Sequence, residues 1–326
     1  MKEKILAFLK EQEGFVSGQV ICEALGVSRT AIWKYIRTLK EEGYEIESVT
    51  RRGYRLLKSP DIISREEVLF HLPEDILSGE IHVYESVDST NEAAKRDAAA
   101  GMPGESLYVA DQQTAGKGRR GRTWISPKGE DIFFSLLLRP EIPTECASML
   151  TLVAALAARA VTQQYAGENC LIKWPNDIVL HEKKICGILT EMGAEMGEIS
   201  YVVIGLGFNL NRMNFEEEIA FMASSIRKET GRPVARAAFL ADFLQEFMKR
   251  YRIFLKVENL SPFVEEYNRC LVNTGRQVKM VRRGEEMIRT AGGINELGEL
   301  IVMDQEGRKE TVASGEVSVR GLYGYV

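Results

Sequence analysis

Gly116-Lys117-Gly118-Arg119-Arg120-Gly121-Arg122 interleaves glycines with cations, and Thr123-Trp124 follows at once. Glycine lets a backbone approach a ligand closely. Lys and Arg supply charge, and the Arg fork matches carboxylate or phosphate. The pattern fits a loop that closes over an anion, a solvated basic loop, or a sequence-blind nucleic-acid tether, and composition does not separate the three. A second run, Lys173-Trp174-Pro175-Asn176-Asp177, carries a lysine off the end of a strand into a turn. Its oxygens suit Mg²⁺ held beside phosphates, and they equally suit an ordinary hairpin turn. Lys183 or Lys184, at and just past the turn that starts at His181, meets either an anion or solvent. Gly205-Leu206-Gly207-Phe208-Asn209 places two glycines in a strand, a mark of close approach by a ligand or another backbone. No GxGxxG helix follows, so this is not a dinucleotide fingerprint. Asp88-Ser89-Thr90-Asn91 opens a helix, where hydroxyls and N–H groups serve as caps or meet a polar ligand.

The rest of the composition narrows the chemistry. His71, His82 and His181 are the only histidines, and the five cysteines are scattered without a CxxC pair. This argues against a His-rich metal site, a His-based triad and a disulfide framework. Chemistry then rests on Lys, Arg, Asp, Glu, Asn and backbone. The cysteine usage, and a start without a signal-peptide core, lead to the expectation of a cytoplasmic protein. No apolar run is expected to reach the ~20 residues of a membrane span, so no membrane contact is anticipated.

At 326 residues two or three domains are expected. Residues 1–58 carry 11 Lys and Arg against 8 Asp and Glu, a charge of +3, which leaves −8 for the remainder of a chain of net charge −5. The basic excess therefore sits in the N-terminal portion. There, helical spacing at Ile5, Leu6, Phe8 and Leu9 is followed by a helix capped by Ser17. A turn at Gly26 leads to a helix capped by Ser28, with Ile32, Ile36 and Leu39 inward. Arg29, Thr30, Trp33, Lys34 and Arg37 fall on its other faces. Two alternating runs flank Arg51-Arg52-Gly53 and predict a hairpin wing. A winged helix-turn-helix that reads DNA through Ser28, Arg29, Thr30, Trp33, Lys34, Arg37, Arg51 and Arg52 is the reading adopted over a helical protein-interaction module. One module reads a short half-site, so useful specificity implies a dimer. A break at Ser59-Pro60 is read as the domain boundary, giving 1–60. Strands at Ile81–Tyr84, Leu107–Ala110, Phe133–Leu138, Leu171–Lys173, Ile185–Glu191 and Tyr201–Asn209 are expected in the next domain, 61–270. Long helices at Met149–Val161 and Arg236–Leu255 accompany them. A small β domain is expected at 271–326.

Taken in order, the DSTN run, the glycine-cation loop, KWPND, Lys184 with Gly187-Ile188-Leu189, GLGFN and the tail Ser314–Arg320 resemble the biotin protein ligases. With the N-terminal module, the chain is similar over essentially its whole length to the bifunctional ligase and biotin-operon repressor type. The resemblance implies an α+β protein: a winged helix-turn-helix, a class-II-synthetase-like catalytic domain with a mixed sheet, and an SH3-like C-terminal barrel. It implies that biotin carboxylate attacks the α-phosphate of MgATP to give biotinyl-5′-AMP and pyrophosphate. A lysine of a biotin carboxyl carrier protein then takes the acyl group and releases AMP. No enzyme nucleophile is needed, so catalysis is positioning and charge neutralisation.

By the same resemblance, Lys184, Arg119, Arg122 and Lys173 are the catalytic residues. Ser89, Thr90, Asn91, Gln113, Gly116, Lys117, Gly118, Arg119, Lys184 and Gly187 bind biotin. Arg119, Arg120, Arg122, Trp124 (on adenine), Lys173, Asn176, Asn209, Glu316 and Arg320 serve ATP, and Asn176 and Asp177 hold Mg²⁺. The implied partners are the carrier protein, operator DNA and a second copy of the chain in a ligand-promoted homodimer, with biotinyl-AMP as corepressor. The family usually has Arg where this chain has Lys117, which keeps the charge and loses the bidentate fork. Two other functions share parts of the pattern: a regulator that only senses ligand, and a lipoate or octanoyl ligase of the same fold.

Overall fold

The computed structural model describes residues 1–326 except 74, 168–169, 283–284, 315–316, 322–324 and 326, and gives no side-chain detail at 282 and 317–321. The chain divides into two compact units, Met1–Pro73 and Glu74–Val326.

The first unit begins with α1 (Lys2–Lys10), α2 (Gly18–Leu25) and α3 (Arg29–Glu41). Ser17 and Ser28 cap α2 and α3, each Oγ accepting at 3.2 Å from the backbone N–H three residues on. Gly26, at φ 66°, ends α2 in the left-handed conformation that glycine adopts without a Cβ penalty. Ile5, Leu6, Leu9, Ile21, Ile32, Ile36 and Leu39 close the core. The wing is an antiparallel pair, β1 (Glu45–Val49) and β2 (Gly53–Lys58), with Val49 opposite Gly53 and Arg51-Arg52 at its tip. Helix α4 (Arg65–His71) belongs to this unit, so the boundary falls after Pro73 and not after Pro60. The reason is a buried polar knot that the local break at Pro60 does not reveal. Lys10 Nζ lies 2.6 Å from Glu67 Oε2, and the Tyr44 hydroxyl donates to Glu67 Oε1 at 2.5 Å.

The second unit is built on a seven-stranded mixed sheet. Its strands are β3 (Ile81–Tyr84), β4 (Ser106–Ala110), β5 (Ile132–Leu138), β6 (Cys170–Lys173), β7 (Asp177–Leu180), β8 (Lys183–Glu195) and β9 (Glu198–Phe208). Their order across the sheet is β3-β4-β5-β9-β8-β7-β6; β3 and β4 are parallel and the other pairs antiparallel. The β8–β9 hairpin is longer than its apolar pattern predicts. It turns at Met196-Gly197, both at positive φ, and its outer half is exposed and so carries no hydrophobic signal.

Helix α5 (Thr90–Ala99) covers the sheet on one side, and α6 (Met149–Ala166) packs against α9 (Arg236–Val257). Short helices α7 (Glu217–Ala220) and α8 (Ile226–Thr230) lie between β9 and α9, and α10 (Val264–Cys270) follows. The segment Thr144–Ala166 is long and apolar enough to cross a membrane, which corrects the expectation that no such run exists. Two-thirds (67%) of its 18-residue apolar window is buried within the fold, as suits a core helix.

Strands β10 (Gln277–Arg282), β11 (Glu285–Ile294), β12 (Leu300–Met303), β13 (Lys309–Val312) and β14 (Val317–Gly321) form a separate antiparallel sheet in the order β13-β12-β11-β10-β14, the small SH3-like element. Trp174, joined to Pro175 by a cis peptide bond, ties the two sheets together: its backbone N–H donates to Asn273 Oδ1 and its indole N–H to the Gly298 carbonyl, each at 3.1 Å.

Candidate active site

Three glycines open the face of the central sheet. Gly187 pairs with Gly207 across β8 and β9, and Leu189 with Gly205. A Cβ on Gly187 would stand 2.8 Å from the Trp124 ring, one on Gly207 2.4 Å from Trp124 Nε1, and one on Gly205 1.9 Å from Asn91 Oδ1. The sheet is thus hollowed where α5 and the basic loop reach in. Two adjoining cavities result. The first is lined by Ser89, Thr90, Gln113, Lys117 and the glycine wall. Arg120, Arg122, Lys173, Asp177 and Asn209 line the second. Gly118, Arg119, Trp124, Asn176 and Lys184 border both. Of the predicted biotin residues, all but Gly116 line the first cavity, and of the predicted ATP residues, all but Glu316 and Arg320 line the second.

The glycine-cation loop folds back on itself. Trp124 N–H donates to the Gly116 carbonyl at 2.9 Å, and Gly118 N–H to the Arg122 carbonyl at 2.7 Å. Gly116 is buried, and a Cβ there would meet the Trp124 carbonyl at 2.5 Å. Arg120 takes the left-handed φ of 57° that lets so tight a loop close. Arg119 points inward, donating to Asn176 Oδ1 at 2.8 Å and to the Ser314 carbonyl at 2.7 Å. Burial lowers its pKa from the ordinary arginine value, against the pull of Asp177. Lys117 is held by Glu92 at 2.6 Å, a contact that draws the Glu92 carboxyl below its usual range.

The first cavity has a polar floor. Ser89 occupies the cap position of α5 but its side chain makes no cap bond; instead Gln113 Oε1 accepts from Thr90 N–H at 2.9 Å. Ser135 Oγ lies 2.8 Å from Thr90 Oγ1 and 2.6 Å from Asn91 Oδ1. Asn91 Nδ2 donates to Glu191 Oε2 at 2.8 Å. Ser135 and Glu191 escape sequence reading. Ser135 is one serine in an otherwise apolar strand, and Glu191 sits 100 residues from its partner. Fixed donors and acceptors of this kind orient a neutral polar ring.

The second cavity is cationic. Lys184 Nζ sits 2.7 Å from Asp177 Oδ1 and 5.2 Å from the centre of the Trp124 ring. Lys173 is buried, donates to the Tyr325 carbonyl, and lies 3.6 Å from the centre of the Tyr325 ring. The Tyr325 hydroxyl donates to Asp177 Oδ2. Asn209 lines the cavity while its amide holds the Ser224 carbonyl at 3.0 Å. The Trp124 indole stands at the border of the compartments, with its buried N–H unpaired among the described residues. Glu316 lies outside the described residues. Arg320 is placed only as a β14 position opposite Lys279, its side chain not being described.

The donor set offers a metal few ligands. Asn176, predicted as a metal ligand, accepts from Arg119 through its Oδ1 and donates to the Ile188 carbonyl through its Nδ2 at 2.9 Å, which leaves one lone pair on its oxygen. Among the described residues no group of three or more His, Cys, Asp or Glu could hold an ion. Asp177 suits Mg²⁺ carried on phosphates, which needs few protein ligands.

In the first unit, Ser28, Arg29, Thr30, Trp33, Lys34 and Arg37 are exposed along α3, and Arg51 and Arg52 at the wing. The Arg52 and Arg55 guanidinium groups stack on Phe15 at 4.3 and 4.8 Å from its centre, which shapes the wing's basic face.

The chain combines a two-compartment cationic site in its second unit with a helix-turn-helix first unit, a combination that comparison with known proteins also finds. The Biotin/lipoate A/B protein ligase family matches residues 83–209, and an HTH domain matches residues 2–55. The bifunctional ligase/repressor BirA of Bacillus spizizenii is 38% identical, the match covering 95% of each chain. The Escherichia coli protein of the same name is 30% identical over 97% of this chain and 96% of its own. The Aquifex aeolicus biotin protein ligase solved with biotin and ATP superposes with a TM-score of 0.65 at 28% identity, covering 74% of this chain and 99% of that one. The chain belongs to the BirA family of bifunctional ligase/repressors.

Proposed function

We propose that this protein is an ATP-dependent biotin protein ligase that also represses transcription of biotin genes. Biotin lies in the first cavity with its ring on the Ser89–Asn91 and Gln113 floor, which Ser135 backs through Thr90 and Asn91. Its carboxylate points past Gly116, Lys117 and Gly118 to Lys184. ATP fills the second cavity, with adenine near Trp124 and Asn209 and phosphates among Arg119, Arg120, Arg122 and Lys173. The observation that carries the reading is the shared wall: Lys184, Arg119 and Trp124 border both compartments, where a carboxylate oxygen and an α-phosphate must meet.

Lys184 neutralises charge on the attacking carboxylate and on the pentavalent phosphate, and Arg119, Arg122 and Lys173 draw charge toward the leaving pyrophosphate. Asp177 would hold Mg²⁺, which supplies further neutralisation of the phosphates when bound. The adenylate then yields its acyl group to a carrier lysine with loss of AMP. The Lys117 side chain is engaged with Glu92, which supports a backbone rather than a guanidinium-like role at that position.

The test is transfer. Purified protein with biotin and MgATP labels the lysine of a biotin carboxyl carrier domain, and lipoate or octanoate does not replace biotin. Labelling that needs no ATP, or that prefers lipoate, overturns the reading. Biotin binding without transfer would favour a pure sensor.

The first unit binds operator DNA, with biotinyl-AMP as corepressor and a ligand-promoted dimer spanning two half-sites. The ligase acts in the cytoplasm. The double substitution R51A/R52A weakens operator binding and lowers the salt slope by about one per arginine if both touch phosphate, with ligation unchanged. Salt titration of operator affinity checks it, and an unaltered slope removes the wing from the interface.

A further inference from the structure

Tyr325, beyond β14, lies inside the nucleotide cavity and binds two groups that the reading above assigns to phosphate and metal. Its hydroxyl donates to Asp177 Oδ2, its carbonyl accepts from Lys173, and its ring lies 3.6 Å from the Lys173 ammonium. Lys184 pairs with the other oxygen of Asp177 at 2.7 Å. A lysine and a carboxylate at the phosphate end of the cavity are thus already engaged by groups of the same chain. An incoming polyphosphate needs the Lys173 ammonium, and its metal needs an oxygen of Asp177. The phenol hydroxyl on Asp177 and the ring over Lys173 cannot both stay while those groups are used, whereas the main-chain carbonyl contact to Lys173 does not depend on the side chain.

We propose that Tyr325 is an internal occupant of the polyphosphate subsite, displaced when MgATP binds, so that it sets nucleotide affinity at the phosphate end and not at the adenine end. The inference rests on the nucleotide-site reading and adds to it a competing group within the same chain. It runs opposite to the simplest expectation for a C-terminal element, that it only adds contacts to ATP. The competition follows from hydrogen-bond bookkeeping: a bond to a charged partner must be given up before the same partner is used again.

The discriminating probes are magnesium pyrophosphate, which needs only the phosphate end, and adenosine, which does not reach it. Titration calorimetry on the full chain compares wild type, Y325F and Y325A. Y325A is expected to bind magnesium pyrophosphate about tenfold more tightly, since a hydrogen bond to a charged group and a ring contact no longer compete. Y325F, which loses only the bond to Asp177, falls between. Adenosine affinity stays constant across the three and reports that the fold is intact. If Y325A loses adenosine binding through misfolding, Y325F, lacking one oxygen, decides the matter. Equal or weaker pyrophosphate binding in the variants, with adenosine retained, overturns the inference alone; weaker binding would make Tyr325 a phosphate ligand. Failure of wild type to bind either probe overturns the nucleotide-site reading and the inference with it.

Discussion

Replacing Lys184 with alanine lowers the rate of biotinyl-adenylate formation by roughly 10²- to 10³-fold, the usual effect of removing one preorganised charge stabiliser. Lys184 borders both cavities, so its ammonium is placed where negative charge accumulates as the carboxylate meets the α-phosphate. Its 2.7 Å contact with Asp177 holds the ammonium at that border. The loss falls mainly on kcat, because the charge being met exists only in the transition state. K184R restores part of the rate, since charge is kept while the head group is larger and planar. Single-turnover pyrophosphate release measures the effect. A K184A enzyme within about threefold of wild type would show that the junction of the two cavities is not where the bond is made.

The second large effect is at Gly205. G205A is expected to cost about 2–4 kcal/mol of stability and to weaken biotin binding more than a hundredfold. The added methyl would stand 1.9 Å from Asn91 Oδ1, a side chain with little freedom to move. Asn91 is pinned by Glu191 at 2.8 Å, the Leu189 carbonyl at 3.3 Å and Ser135 at 2.6 Å. Moving it breaks all three contacts and disturbs Thr90 through Ser135. Thermal unfolding should fall by about 5–10 °C for a unit of this size. The double variant N91A/G205A relieves the clash and recovers stability without recovering affinity, because the floor of the pocket stays incomplete. Normal biotin affinity in G205A would mean that ligand does not lie on this wall.

How far these residues could be read beforehand depended on whether their signal was local. The glycine-cation loop, KWPND and the paired strand glycines are contiguous, and their types speak at once of close approach and charge. The capped helix from Ser28 and the wing at Arg51-Arg52 are likewise written in short-range caps and alternation, and the structure exposes those side chains as expected. Residues whose meaning lies in distant partners were silent. Ser135 is one polar residue in a buried apolar strand, and it becomes part of a site only because Thr90 and Asn91 come to rest on it. Glu67 draws α4 into the first unit through Lys10 and Tyr44, against the local signal of Pro60. Asn176 reads as a metal ligand by type, yet its amide already holds Arg119 and Ile188. Tyr325 carries no motif, and its role rests on contacts across about 150 residues of chain, with Lys173 and Asp177 152 and 148 positions away.

The most direct test of the account is biotin-dependent exchange of labelled pyrophosphate into ATP, with no carrier protein present. The two-compartment site predicts exchange that requires biotin, ATP and Mg²⁺ together and that falls by roughly 10²- to 10³-fold in K184A. Exchange without biotin, or none with all three, would contradict the claim that a carboxylate in the glycine-walled pocket is joined to the nucleotide next to it.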